Sequence, residues 1–200
     1  SNLLAELSRL GIEVDRRDSR LETLLSIVKE REAIGYSYEG ADASFELLAR
    51  RTLGSVPDYF TVESFHVTVE RRFDVDGRRH QSSESEAVVK LRVGGERLLT
   101  VGEGNGPVNA LDRALRKDLG VYQDIIADLE LIDYKVRILN GGTEAVTRVL
   151  IESRDGLGNS WSTVGVSENV VDASTRSSTS WSAPASRLRE GRSARLHTIV

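Results

Sequence analysis

Thr100-Val101-Gly102-Glu103-Gly104-Asn105-Gly106-Pro107-Val108-Asn109-Ala110 is answered, 63 residues later, by Thr163-Val164-Gly165-Val166-Ser167-Glu168-Asn169-Val170-Val171-Asp172-Ala173. Both stretches leave an alternating strand-like run, cross a turn of small residues and enter helical spacing. Further strand-like runs precede each copy. Phe65-His66-Val67-Thr68-Val69 matches Ile132-Asp133-Tyr134-Lys135-Val136 at an offset of 67, and Ser85–Lys90 matches Thr143–Arg148 at an offset of 58. Asp76-Gly77, Gly94-Gly95, Asn140-Gly141 and Asp155-Gly156 supply the turns. The order is therefore three strands and a helix, twice, over residues 59–120 and 128–174. The stripe Val108, Leu111, Leu115 and Leu119 covers the first sheet. The predicted fold is α+β, with internally duplicated βββα units packed about a pseudo-twofold behind a helical linker arm.

That arm is residues 1–54. Leu3, Leu4, Leu7 and Leu10 recur at helical spacing up to Gly11; Asp18 is placed to cap a helix carrying Leu21, Leu24, Leu25 and Val28; a third helix follows Asp42 with Phe45, Leu48 and Ala49 inward. Short amphipathic helices in series read as a linker that packs on another body. The regulatory body spans 55–174, and 175–200 reads as a polar basic tail, disordered or foreign to the fold: Arg176, Arg187, Arg189, Arg192 and Arg195 stand there against Glu190 alone. The chain's net charge of −4 thus hides a more acidic body, which argues against a nucleic-acid groove; a basic tail binding RNA is a weaker alternative. No apolar run approaches a membrane span, and the chain reads as cytoplasmic, with no membrane partner.

The 200 residues include no cysteine, excluding disulfides, thiolate nucleophiles and zinc–thiolate sites. They also include no methionine, which predicts a segment of a longer protein. His66, His80 and His197 are far apart and form no metal-binding spacing, while Glu84 and Glu86 read as solvated carboxylates on one strand face. The Gly102–Pro107 turn has two readings. Its glycines make the strand-to-helix turn, or they let a small anion approach the backbone N–H groups of the helix start. The second copy places Gly165, Ser167 and Asn169 at the equivalent turn.

Gly35-Tyr36-Ser37-Tyr38-Glu39-Gly40-Ala41-Asp42-Ala43-Ser44-Phe45-Glu46-Leu47-Leu48, Glu103–Leu111, Ile132–Arg137 and Trp161–Asn169 resemble, in order, the C-terminal part of the α-isopropylmalate synthase and citramalate synthase family, the citramalate branch in particular. The resemblance implies a two-part enzyme of branched-chain amino-acid biosynthesis. Its barrel, absent here, would use a divalent metal and acetyl-CoA to condense with a 2-oxo acid. This segment would hold no catalytic residue, metal or cofactor, would form a homodimer, and would bind isoleucine or leucine as a feedback effector. By the same resemblance Gly104, Asn105, Gly106, Pro107 and Ala110 are the effector loop, Leu131, Asp133 and Tyr134 the strand beside it, and Gly165, Val166, Ser167 and Asn169 their second-copy equivalents. In such a site Asp133 would accept the effector's ammonium group. The helices from Leu21 to Leu48 would transmit the signal to the barrel. A homodimerisation module without a ligand is the alternative. The family continues past Ser174 with an apolar-striped helix, which the Arg/Ser-rich sequence here replaces.

Overall fold

A computed structural model describes residues 3–54, 56, 60–73, 79–119, 123, 128–139 and 145–179. The elements run α1 (Leu3–Arg9), α2 (Arg20–Ala33), α3 (Asp42–Thr52), β1 (Phe60–Phe73), β2 (Arg79–Val93), β3 (Glu96–Gly104), α4 (Pro107–Lys117), β4 (Glu130–Ile138), β5 (Thr147–Arg154), β6 (Ser160–Ser167) and α5 (Val170–Ser178). Two antiparallel sheets, ordered β1-β2-β3 and β4-β5-β6, are each followed by a helix, so the α+β class and the repeated βββα unit hold. The chain forms two compact units, residues 58–128, and residues 1–57 together with 129–200.

In the first unit, Ala87, Val89, Leu91 and Val93 alternate inward along β2 and pack under Ala110, Leu111, Ala114, Leu115 and Leu119, all buried. Each of these leucines contributes about 2 kcal/mol by leaving water. Of the expected stripe, Val108 is only partly buried and Leu119 lies just past the helix. Gly94 and Gly95, with φ of 56° and 90°, close the β2–β3 hairpin as the positive-φ turn their sequence predicts.

The register corrects two of the sequence matches. Ala87 faces Gly102 and Val149 faces Gly165, so β2 and β5 correspond at an offset of 62, not 58. Phe65 faces Val89 and Tyr134 faces Ile151, so β1 and β4 correspond at 69, not 67. Both slips are even, and an even slip keeps every side chain on its own face; period-two patterning cannot detect it. The corrected alignment also makes an irregularity coincide. Ladder pairing is interrupted at Glu63 in β1 and, 69 residues on, at Ile132 in β4. These duplicated bulges re-aim the start of each strand. Glu63 uses its place to bridge the opposed Arg92 and Arg97 at 2.8 and 2.6 Å, and these hydrogen bonds hold its carboxyl below the usual range.

In the second unit, α1, α2 and α3 build a core of their own from Leu7, Ile12, Leu24, Phe45, Leu48, Ala49 and Leu53. Leu25 falls off the stripe and is 40% exposed. Asp18 does not occupy the N-cap position, which is Ser19; its carboxylate accepts from the Arg20 amide at 2.9 Å and binds the Arg20 guanidinium, whose hydrogen bonds bring its pKa down to about 2. The segment Tyr36–Ala41 and α3 also pack on the β4-β5-β6 sheet. Ala41, Tyr36 and Tyr38 meet Val164 and Val166, the Val164 N–H donates to Ser44 Oγ at 2.9 Å, and Arg148 Nε donates to the Gly35 carbonyl at 2.6 Å. The arm therefore closes the outer side of β6, which is why Val164, Gly165 and Val166 are buried in succession.

The helix α5 covers the other face, and it runs to Ser178, past the Ser174 boundary expected from its lack of apolar residues. Its inner face is built from hydroxyls. Ser174 Oγ donates to the Val170 carbonyl and meets Tyr134 Oη at 2.8 Å; Thr175 Oγ1 donates to the Val171 carbonyl; Ser177 Oγ meets Thr163 Oγ1 at 2.9 Å. Buried hydroxyls are tolerated once hydrogen-bonded. Residues 180–200, with most of the expected tail and His197, and the Asp76-Gly77 and Asn140-Gly141 turns lie outside the described residues, as does the His80 side chain.

Two stability tests follow. A methyl group at Gly165 would run into the Ala173 carbonyl oxygen and stand 2.6 Å from Ser177 N, and one at Gly102 would stand 2.5 Å from the Ala110 carbonyl oxygen, whereas one at Gly106 meets nothing within 4 Å. Gly102→Ala and Gly165→Ala each lower stability by about 2–3 kcal/mol, and Gly106→Ala by less than about 1 kcal/mol, in denaturant unfolding. Asp155 is buried in the β5–β6 loop. Burial pushes its pKa up, but hydrogen bonds from Asn159 and from the Leu157 and Gly158 amides outweigh it and leave the pKa below the ordinary 3.8. A carboxyl depressed by folding stabilises above its unfolded pKa and loses that contribution as pH falls through the folded one. The destabilisation by Asp155→Asn is accordingly greatest at neutral pH and shrinks below pH 3.8; a pH-independent difference would contradict this.

Candidate binding site at a helix start

Gly104, Asn105, Gly106, Pro107 and Ala110 gather at the β3–α4 turn, in the unit of residues 58–128. Packing dictates part of this turn. Ala110 is fully buried, and a methyl at Gly104 would strike Asn109 Oδ1 and stand 2.6 Å from Ala110 N. Gly104 and Gly102 therefore act as the sites where helix backbone meets strand backbone. Gly106 is different. It is the N-cap of α4, in extended backbone at φ −167°, with open space where a side chain would be and no side-chain cap on the helix. Pro107 at the first position has no N–H, so the uncapped donors of the first turn are the Val108 and Asn109 amides. They sit at the positive end of the helix dipole.

Two features that sequence reasoning missed lie beside this turn. Arg113 Nη1 donates to the Glu103 carbonyl at 3.1 Å and brings a fixed positive charge to the turn. Ser85, directly opposite Gly104 in the ladder, is 1% exposed, and its Oγ has no hydrogen-bond partner among the described residues. The β2–β3 register, which the sequence does not state, connects Ser85 to the turn, and the seating of α4 against the end of β3 connects Arg113 to it.

Gly165, Val166, Ser167 and Asn169 stand at the β6–α5 turn of the other unit. Here the helix start is filled by its own side chain: Asn169 Oδ1 accepts from the Val171 and Asp172 amides at 2.7 and 3.4 Å, and Ser167 Oγ accepts from Asn169 N at 3.3 Å. Gly165 is closed against Ala173, and Val166 faces the arm. The two turns are the same in path and differ in chemistry, Gly106 open where Asn169 is self-capped.

Leu131, Asp133 and Tyr134 stand on β4, which β5 separates from β6. The bulge at Ile132 puts Leu131, opposite Ser153, on the same face as Tyr134, opposite Ile151, while Asp133 points the other way. Tyr134 packs against Val149, Ile151 and Ala173; burial raises its pKa, partly offset by the Ser174 hydrogen bond. The carboxylate of Asp133 is engaged within its own strand, with Lys135 Nζ at 2.6 Å and the Tyr134 N–H at 2.8 Å, and the Lys135 hydrogen bond holds its pKa below the ordinary value. The strand thus does not present Asp133 and Tyr134 to one ligand.

His66, Glu84 and Glu86 are exposed. Among the described residues no three His, Asp or Glu side chains gather as a divalent metal requires. No described helix is long and apolar enough to cross a membrane.

The family model described as the LeuA allosteric (dimerisation) domain matches residues 39–182, from just before α3 past the end of α5. The match passes Ser174, where the sequence had suggested a departure. The chain is 48% identical over 176 residues to an (R)-citramalate synthase of Aquifex aeolicus, covering 87% of this chain and 32% of that protein. It is 50% identical over 168 residues to an (R)-citramalate synthase of Streptomyces coelicolor, covering 82% and 30%. A probable 2-isopropylmalate synthase of Methanopyrus kandleri is 28% identical over 171 residues. The chain spans about a third of the length of these relatives. On the duplicated βββα fold and a family match over residues 39–182, the chain belongs to the LeuA allosteric (dimerisation) domain family.

Proposed function

We propose that this chain is the regulatory and dimerisation part of an acetyl-CoA-dependent, 2-oxo-acid-condensing enzyme of citramalate synthase type, and that it binds isoleucine or leucine at the start of α4. The names of the citramalate synthase relatives support the parent activity. On this reading a divalent metal and acetyl-CoA would be held by the rest of the parent enzyme, outside this chain. The observation that supports the binding site is the contrast between the two helix starts: Asn169 caps its own, and the start at Gly106 has no side-chain cap among the described residues. An amino-acid carboxylate fits two free amides at a dipole's positive end with Arg113 nearby. Asp133, already paired in its strand, is the weaker candidate for the ammonium group. The Ser44–Val164 hydrogen bond ties α3 to β6 within the unit of residues 1–57 and 129–200, and on this reading the helices from Leu21 to Leu48 carry the signal to the barrel. A ligand binding only the folded state at 100 times its Kd adds about 2.7 kcal/mol of stability. Isoleucine or leucine then raises the melting temperature by several degrees, and valine raises it less. If no branched-chain amino acid shifts the transition at millimolar concentration, the ligand reading fails and a pure homodimerisation module remains. The site itself is tested by Gly106→Asn, which supplies the cap that Asn169 supplies in the other copy. It preserves or slightly raises the melting temperature of the free protein, yet weakens binding about tenfold, the equivalent of ~1.4 kcal/mol for one charge-assisted hydrogen bond. Unchanged affinity in calorimetry would place the ligand elsewhere.

A further inference from the structure

The sheet β4-β5-β6 has two edges treated in opposite ways. On β6, α3 lies against the strand and Ser44 Oγ takes the Val164 N–H. On β4 no described element covers the edge, and the strand exposes an unusual amount of apolar surface: Leu131 at 37%, Ile132 at 39%, Val136 at 47% and Ile138 at 66%. The Tyr134 N–H donates to the side chain of its own neighbour, Asp133, at 2.8 Å, as on the open side of an edge strand. A bare edge with an apolar face is a template for another strand.

The sequence of the edge says which strand. Written antiparallel to itself about Tyr134, Glu130-Leu131-Ile132-Asp133-Tyr134-Lys135-Val136-Arg137-Ile138 places Asp133 opposite Lys135 twice and Ile132 opposite Val136 twice. Asp133 and Lys135 are 41% and 68% exposed and free to re-pair. The equivalent strand of the first repeat, centred on Phe65, would oppose Ser64 to His66 and offers no such charge match. We infer that β4 is the homodimerisation edge: it pairs antiparallel with β4 of a second copy about a twofold through Tyr134, with Asp133 facing Lys135 of the partner subunit. The two three-stranded sheets then join into one of six strands. The Tyr134 N–H passes from Asp133 to the carbonyl of the partner's Tyr134, and the exposed valine and isoleucine side chains of both copies become neighbours. Opposite charges directly across a ladder stabilise it and like charges destabilise it. The closed twofold makes each contact count twice.

This rests on the homodimer of the preceding section, and the test separates the two. Lys135→Asp leaves a chain with two acids at the edge, and Asp133→Lys one with two lysines; each repels itself across the twofold and complements the other. Sedimentation velocity is run on the full chain at low salt. The wild-type chain is expected as a dimer, each variant as predominantly monomer, and an equimolar mixture of the two variants as a dimer, which native mass spectrometry identifies as the heterodimer. Intrastrand pairing cannot produce that rescue, since each variant has lost its own Asp–Lys pair. A wild-type monomer overturns the homodimer reading and this proposal together. A wild-type dimer whose variants remain dimeric, or whose mixture stays monomeric, overturns this edge alone and moves the interface to another surface, such as the β1 edge.

Discussion

Backbone-to-backbone contact between a helix and the strand before it is the constraint on which both halves of this molecule rest. At Gly102 the chain of α4 comes so near that Ala110 and Ala114 occupy the space of any side chain, and at Gly165, 63 residues on, Ala173 and Ser177 do the same to α5. A helix seated that low brings its whole inner face onto the sheet. In the first unit that face is Leu111 and Leu115; in the second the same positions are Ser174 and Ser178, and the helix still forms because the contact depends on missing side chains in the strand, not on large ones in the helix. Dispersion contacts across such a short gap and satisfied hydroxyls replace the leucines.

Once the two units are aligned on these glycines, their differences carry the functional argument. The same turn is sealed by Asn169 in one copy and open at Gly106 in the other. The same aromatic position is Phe65 in one and Tyr134 in the other, and the added hydroxyl finds the serine that has replaced a leucine. Duplication gives each unit the same order of elements, and divergence within it leaves one helix start without a side-chain cap and one edge strand with exposed apolar side chains.

The sequence made the duplicate, the order of elements and the glycine turns legible, because Gly102 and Gly165 must be glycine and the matching segments around them share one offset. The strand registers were not legible. A strand that slips by two or four residues still alternates correctly, so Ser85–Lys90 was aligned to Thr143–Arg148, whereas its structural partner begins at Thr147, opposite Ser167. Helix α5 is hard to read from hydropathy for a related reason: Ser174, Thr175 and Ser177 count as polar, and hydropathy does not see that their hydroxyls are hydrogen-bonded inside. The motif around Asp133 points to a binding site, and its pairing with Lys135, two positions along the same strand face, is a feature of the folded strand that the motif does not state.

The Ser44–Val164 hydrogen bond joins residues 120 positions apart, and the block 58–128 sits wholly between them. As the chain is synthesised from its N-terminus, residues 58–128 are therefore complete as a contiguous unit before β6 exists to receive α3. During that interval the arm has only its own small core of Leu7, Leu24, Phe45 and Leu48, and its sheet-facing side, with Tyr36 and Ala41, stays exposed. The interrupted unit carries the long-range closure, and contacts of high sequence separation are the kind that slow folding. The order of assembly is thus written into the nesting of the repeats, with the first βββα unit folding inside a second one that is still waiting for its other half.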